Sequence, residues 1–241
     1  MQASSIDLVI ALYQFVILLF SISCHQCAQA WMASRLGDYT ARLEGRITLN
    51  PARHIDLIGT VIYPALMILG PIIGFGGGGI VFGWGKPVPI ITRNLKKITL
   101  YDNLISMAGP AANLVAALFA FLMLVVLILA VPGGREAVIA TIQNQIFVGA
   151  TSAPQALALL GWLLIEVNLA LVFFNLIPIP PLDASRIVRN LLPYNSLNTF
   201  DTIGRFGFII IFILGNIIVR FFLGPAMRIV VLVLALFLRS R

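Results

Sequence analysis

The sequence predicts an all-α polytopic membrane protein, and three observations lead to that prediction. Charged residues make up only 10% of the 241 residues, whereas soluble domains carry about 25%. Hydrophobic residues make up 60%, and the mean hydropathy is +1.01. Several uncharged runs exceed the roughly 20 residues that a helix needs to cross a bilayer. Because no repeat or second domain is seen, residues 1–241 are predicted to form one integral membrane domain.

The uncharged runs define the candidate spanning helices. Residues 132–134, Pro-Gly-Gly, predict a turn. Because residues 143–145 are polar, the fourth span is expected to begin near Pro154. Gly224 and Pro225 interrupt the last run, which predicts two helices there. The runs cover residues 8–34, 57–85, 104–134, 137–182 apart from Glu166, and 206–238 apart from Arg220 and Arg228.

Two segments do not fit a spanning helix. Residues 39–50, YTARLEGRITLN, alternate in part and are charged, which predicts a small extramembrane β-hairpin or strand. Residues 74–89 contain seven glycines and two prolines. Irregular backbone at membrane depth survives only where protein or a water-filled cavity satisfies it. That segment is therefore predicted to be re-entrant or interfacial.

The net charge of +7 does not indicate nucleic acid. Basic residues at the ends of spans orient membrane proteins, and no basic patch is interleaved with aromatic residues. The two cysteines, Cys24 and Cys27, lie in the first span, three residues apart. They are expected to be small packing residues rather than a disulfide framework.

The end of the first span and the residues directly after it have the sequence CHQCAQAWMASRLGD, residues 24–38. Metalloproteases with the pattern H-E-x-x-H place two histidines four residues apart on one helix face, where they bind zinc. The glutamate beside the first histidine is the general base. Here the corresponding positions are His25, Gln26 and Gln29. The spacing is that of a zinc-hydrolase helix, but two of the three residue types differ.

Five segments in order resemble the site-2 protease family of intramembrane zinc proteases. Residues 24–38 resemble its H-E-C-A-H-A…R-L-G-D helix, residues 108–113 (AGPAAN) its A-G-P-x-x-N helix start, and residues 175–186 (NLIPIPPLDASR) its N-x-x-P-x-P-P-L-D-G-x-R segment. Residues 48–60 and 82–90 are similar to linking segments of one bacterial branch. The resemblance covers roughly residues 20–195 and implies that family's helical core, zinc cofactor and transmembrane protein substrates.

The resemblance also implies roles for individual residues. His25 matches the first zinc ligand, and Asp183 matches the third, which a later span supplies. Gln29 stands where the second histidine ligand belongs. Gln26 stands where the general-base glutamate belongs. Asn113 matches a polar position near the site.

Both glutamines are expected to impair zinc-dependent peptide hydrolysis. An amide has no titratable acceptor near neutral pH, and a positioned base is worth about 10²- to 10⁴-fold. Zinc prefers imidazole, thiolate or carboxylate to the neutral oxygen that Gln29 offers. The sequence therefore predicts a catalytically impaired pseudoprotease that binds transmembrane partners. An active zinc endopeptidase with unusual ligands and a structural or transport role remain alternatives.

Other readings of the polar residues stay open. Cys24, Cys27 and His54 are candidate substitute ligands, but the cysteines project about 100° and 200° away from His25, and His54 reaches the site only if its loop dips inward. Asp183 is as well placed to cap the helix that follows it. Glu166 is an intramembrane acid and so a functional candidate; a polar contact on the far side of the membrane is expected for it.

If His25 and Asp183 lie at the same depth in the membrane, the topology of the chain is constrained. The third span must then rise from the side on which the first span ends, so residues 57–103 must follow a hairpin path. That side is predicted to be the cytoplasmic side, because it collects most basic residues. The resemblance to a bacterial branch of the family implies a bacterial inner membrane. The outer side keeps Arg135 and Arg220, with Arg228 unassigned, and the inner side is predicted to hold Arg35, Arg42, Arg46, Arg53, Lys86, Arg93, Lys96, Lys97, Arg186, Arg189, Arg205, Arg239 and Arg241.

Overall fold

Long apolar helices dominate the computed structural model, which describes residues 5–69, 82–143 and 152–239. Four of the described helices are long and apolar enough to cross a membrane: α1 (Ser5–Arg35), α4 (Ile98–Ala130), α6 (Ala153–Asn175) and α9 (Gly207–Arg239). The prediction of an all-α polytopic membrane protein is confirmed. In chain order the α-helices of the described residues are α1 (Ser5–Arg35), α2 (Thr40–Leu43), α3 (Tyr63–Leu69), α4 (Ile98–Ala130), α5 (Gly134–Ile142), α6 (Ala153–Asn175), α7 (Asp183–Leu191), α8 (Tyr194–Arg205) and α9 (Gly207–Arg239). A π-helix, Leu57–Ile62, leads into α3, and two 3₁₀ helices cover Pro51–Arg53 and Thr92–Asn94.

The prediction of a β-hairpin or strand at residues 39–50 is wrong. The segment contains the single-turn helix α2, and Ala41 is packed against Ala30 and Val88. Gly45 then turns the chain with a φ of +68°, and the Arg46 amide donates to the Ala41 carbonyl at 2.9 Å. A strand needs a partner, and no described residue is in a strand. The partial alternation therefore reflects one buried turn with exposed neighbours.

Hydrogen bonds join the two described parts of the segment 54–86, which are residues 54–69 and 82–86. The Trp84 amide donates to the Gly59 carbonyl at 3.2 Å, and Thr60 Oγ1 donates to the Trp84 carbonyl at 2.7 Å. The Lys86 amide donates to the His54 carbonyl at 2.8 Å. The two ends of the segment thus lie together, as a hairpin path requires. Of the predicted re-entrant stretch, residues 74–81 lie outside the described residues, and 82–89 have no regular secondary structure.

Asp38 joins the loop after α1 to the loop before α4. Its carboxylate accepts hydrogen bonds from the Ile91 amide at 2.7 Å, Asn94 Nδ2 at 2.9 Å and Thr40 Oγ1 at 2.6 Å. Burial alone would raise the pKa of Asp38, but the hydrogen bonds from Thr40, Asn94 and Ile91 outweigh it and lower the pKa. The carboxylate therefore holds the end of α1 against the start of α4.

The surroundings of His54 predict that acid destabilises the folded loop. Burial lowers the pKa of His54, and the nearby Arg46 lowers it further, against the raising effect of the hydrogen bond to the Thr48 carbonyl. The unfolded chain therefore binds this proton more readily, and stability is lost as pH falls below the ordinary histidine range near 6.5. We expect the thermal unfolding temperature in detergent to fall between pH 7.5 and pH 5. In His54→Gln, which keeps a donor for Thr48, the fall should be smaller; an equal fall would contradict this reading.

The prediction that residues 206–238 form two helices is wrong. One helix, α9, runs from Gly207 to Arg239 through Pro225. Transmembrane helices tolerate proline when local adjustments satisfy the freed backbone group. α9 begins beside Pro180 and ends where Arg135 donates to the Leu238 carbonyl. α9 thus starts on the side of the bundle where α6 ends and finishes on the side where α4 ends. Arg239 lies on that second side, so the prediction that it lies on the inner side is also wrong.

α4 is the helix on which the site is assembled. It packs against α1, α5, α6, α7 and α9. Near its start, the buried Asp102 accepts hydrogen bonds from Arg186 and, at 2.8 Å, from Asn190 Nδ2. Because Arg186 and Asn190 lie on α7, this contact fixes the short helix that begins with Asp183. α6 begins at Ala153, as predicted from Pro154.

Candidate active site

Three polar side chains of α1 are buried at one level of the helix. His25, Gln26 and Gln29 are 5%, 7% and 4% exposed. His25 and Gln29 are four residues apart and therefore lie on the same face. α1 packs against α4 and α6 here, so this face is turned into the bundle rather than toward lipid.

Asp183 reaches this face from the first turn of α7. Its Oδ2 lies 2.8 Å from His25 Nε2, and its Oδ1 accepts a hydrogen bond from Gln29 Nε2 at 2.7 Å. The structure thus brings together residues separated by more than 150 positions in the chain. The alternative that Asp183 caps α7 is wrong, because Leu182 is the N-cap residue and Asp183 is the first helical residue.

α4 supplies the third wall of the site. Asn113 Oδ1 lies 2.9 Å from His25 Nδ1, and the Ser106 carbonyl accepts from Gln29 Nε2 at 3.4 Å. Gly109 packs against the His25 ring so closely that a Cβ there would lie 2.2 Å from Nε2. Both ring nitrogens of His25 are therefore engaged, one by Asn113 and one by Asp183.

The orientation of the Gln29 amide follows from its neighbours. An amide group has one acceptor oxygen and one donor nitrogen, which the hydrogen-bond network must assign. Gln29 faces the Asp183 carboxylate and the Ser106 carbonyl, both of which are acceptors. The nitrogen, and not the oxygen, is therefore the atom turned into the site.

His25, Gln29 and Asp183 are called the trio below, and several buried polar atoms around it have no hydrogen-bond partner among the described residues. They include Gln26 Oε1, Ser106 Oγ and Asn113 Nδ2. Buried polar groups are nearly always paired, so unpaired ones call for an explanation. Gln26 packs near Gly85, where a Cβ would meet its Cγ at 3.2 Å, so the returning loop covers this side of the site.

The remaining candidate residues do not join the trio. His54 Nε2 lies 2.8 Å from the Thr48 carbonyl, and the thiols of Cys24 and Cys27 are free. Glu166 has no hydrogen-bond partner in the described part of the chain, so the polar contact expected for it is not found. Within the same residues, no three or more His, Cys, Asp or Glu side chains are grouped so that they could hold a metal ion.

Comparison with known proteins identifies the family. The chain is 34% identical, over 202 residues, to a Bacillus subtilis (strain 168) protein named "Putative zinc metalloprotease YwhC", covering 84% of this chain and 79% of that protein. The chain belongs to the site-2 protease family. A Mycolicibacterium smegmatis protein named "Putative zinc metalloprotease Rip2" is 35% identical over 101 residues, 41% of this chain and 34% of that protein. No family model and no solved structure matches.

The donor set of this site-2 protease homologue does not fit zinc. A catalytic zinc normally has three protein ligands drawn from imidazole, thiolate and carboxylate. Here His25 and Asp183 are of these types, and they contact each other directly. The third position is taken by Gln29, whose amide nitrogen is turned inward and has no lone pair to offer.

The close packing of Gly109 against His25 gives a testable consequence. In Gly109→Ala the added Cβ must displace the imidazole, and overpacking of this kind costs about 1–3 kcal/mol. We expect a lower unfolding temperature in detergent. Gly224→Ala is the matched control, because a Cβ on that helical glycine meets nothing within 4 Å. Equal unfolding temperatures for the two variants would show that the His25 ring is not held as described.

The sequence analysis identified Asn113 on α4 but not the other α4 residues that contact the site or hold α7. Asp102, Ser106, Gly109 and Asn113 follow one another at intervals of four, three and four residues. That spacing places them on one face of a helix, so the periodicity of small and polar residues could have revealed the face. The contacts of this face with His25, Gln29 and α7 could not be read from the spacing.

Proposed function

We propose that this member of the site-2 protease family is a pseudoprotease that binds transmembrane segments of other proteins without cutting them. The observation that carries the proposal is the inward amide nitrogen of Gln29, hydrogen-bonded to Asp183 Oδ1 at 2.7 Å. An N–H donor in the position of a zinc ligand satisfies the carboxylate directly. Asp183 and His25 then stabilise each other, where in an active enzyme they would share a metal ion.

The position of the general base supports the same conclusion. Gln26 lies beside His25 in sequence and is 7% exposed. Its amide has no lone pair basic enough to take a proton from water near neutral pH. Among the described residues, Asp183 is the one carboxylate that contacts His25 or Gln29. The described side chains therefore contain neither a complete zinc ligand set nor a base to activate water.

The polar face itself supports binding of a transmembrane segment. Polar side chains inside a membrane domain are costly and usually functional. Gln26 Oε1, Ser106 Oγ and Asn113 Nδ2 are buried and unpaired among the described residues. To reach these buried atoms, a bound segment would have to displace the loop at Gly85 that covers Gln26, and its polar groups would then give the atoms partners.

The distribution of charge supports a site near the cytoplasmic side of a bacterial inner membrane. The loops at the end of α1 and the start of α4, together with α7 and α8, hold most of the basic residues, whereas Arg135 and Arg239 lie at the other end of the bundle. Basic residues accumulate on cytoplasmic loops. The course of α9 removes Arg239 from this side, and most basic residues of the described chain still lie there.

The experiment compares metal content, cleavage and binding for the purified, unaltered chain. We expect less than stoichiometric zinc, and we expect single-span peptides with Ser and Asn at their centre to associate with the chain in vesicles and stay intact by mass spectrometry. One zinc per chain with chelator-sensitive cleavage would overturn the proposal in favour of an endopeptidase. Absence of peptide association, or selective solute flux through the chain, would overturn it in favour of a structural or transport role.

A further inference from the structure

α9 presents an exposed stripe on the side away from the bundle. Phe221 and Leu232 are 74% and 67% exposed, and Gly224 and Arg228 lie between them and are also exposed. The intervals of three, four and four residues place all four on one face. α9 is also the least buried of the candidate spans. An arginine therefore stands in the middle of an apolar surface.

Arg228 lies deep in the membrane rather than at its surface. α6 packs against α9, and α9 begins beside Pro180, just past the end of α6, so the two helices are antiparallel. The Phe173 and Phe222 rings, 5.9 Å apart, mark one common level. Six residues further along, Arg228 is level with residue 167 of α6. At 1.5 Å per residue, that level is about 21 Å from the start of α6 and about 12 Å from its end. Met227 packs against both main hydrophobic clusters, which agrees with a central position.

Arg228 has no hydrogen bond or ion pair to any residue that the structure describes. The other arginines of this region differ: Arg220 Nε donates to Asn216 at 2.9 Å, and Arg135 donates to the Leu238 carbonyl. A guanidinium carries five N–H donors and keeps its charge. In hydrocarbon such a group is costly, and it normally pairs with another polar group.

We propose that the α9 stripe binds a transmembrane helix of another protein that carries a carboxylate at mid-membrane depth. A carboxylate is the acceptor that a guanidinium binds in bidentate geometry. Gly224 lies one turn from Arg228, and a Cβ there would meet nothing within 4 Å, so a second helix can approach closely at that point. Phe221 and Leu232 extend the contact with apolar surface on either side of the charge.

The test uses the full chain in phosphatidylcholine vesicles with dilute fluorescent single-span peptides. One peptide is a Leu-Ala helix with a central Glu, and the other has Leu in its place. Energy transfer should show the Glu peptide binding about tenfold more tightly than the Leu peptide. Arg228→Leu should remove that difference, and Arg228→Lys should retain part of it. Arg239→Leu, at the end of the same helix, should leave it unchanged.

Three results would overturn the proposal. The first is equal binding of the two peptides to the unaltered chain, which would mean that lipid alone accommodates Arg228. The second is a preference for the Glu peptide that Arg228→Leu leaves intact. The third is energy transfer between two labelled copies of the chain that Arg228→Leu abolishes, which would assign the stripe to self-association. Because the Leu peptide differs only at its centre, the comparison holds even if a variant changes overall stability.

Discussion

The double variant Gln26→Glu/Gln29→His should bind one zinc ion per chain and cleave single-span peptides, whereas the unaltered chain should do neither. Gln29→His adds an imidazole to His25 and Asp183, which completes the three ligands of a catalytic zinc site. The new side chain projects from the position whose amide already lies 2.7 Å from Asp183 Oδ1. Gln26→Glu adds the missing proton acceptor beside His25.

The two substitutions should separate into a metal effect and a rate effect. Gln29→His alone should restore zinc content, measured by mass spectrometry of the purified protein, with little cleavage. Adding Gln26→Glu should raise the cleavage rate by about 10²- to 10⁴-fold, which is the range for a positioned base. Gln26→Glu/Gln29→Leu is the control, since it supplies the base without the ligand. If Gln29→His bound no zinc, the geometry assigned to His25, Gln29 and Asp183 would be wrong.

Asp102→Ala should be the most destabilising of the single substitutions considered, although Asp102 does not touch the trio. The change leaves Arg186 and Asn190 of α7 without their acceptor. Breaking a buried ion pair costs about 3–5 kcal/mol, and because Arg186 is 32% exposed we expect about 2–4 kcal/mol here. The loss should appear as a lower denaturant midpoint in detergent.

The same helix offers a matched control for that prediction. Arg189 of α7 pairs with Asp201 at 2.9 Å, but both side chains are about half exposed. Exposed pairs contribute little because water screens them. Asp201→Ala should therefore leave the midpoint nearly unchanged. If the two alanine variants were equally stable, Asp102 would not be what fixes α7 against α4.

Some of the sequence predictions failed where local pattern competed with tertiary context. The alternation in residues 39–50 indicated strands, but a strand is stable only when paired, and the chain buries Ala41 in a helical turn instead. Gly224 and Pro225 indicated a break, but both are exposed and α9 continues through them. Asp183 was equally consistent with a cap and with a site residue, and only its contacts with His25 and Gln29 decide between them.

The sequence alone determined the membrane class, most of the spans and the placement of His25 and Gln29 on one face of α1. These follow from composition and from the 3.6-residue period, both of which act within a single segment. The tertiary structure alone decided which atom of Gln29 enters the site, because the Ser106 carbonyl and the Asp183 carboxylate that orient it lie 77 and 154 residues away. It also decided that α7 is held by Asp102, since no spacing rule connects charges on separate helices.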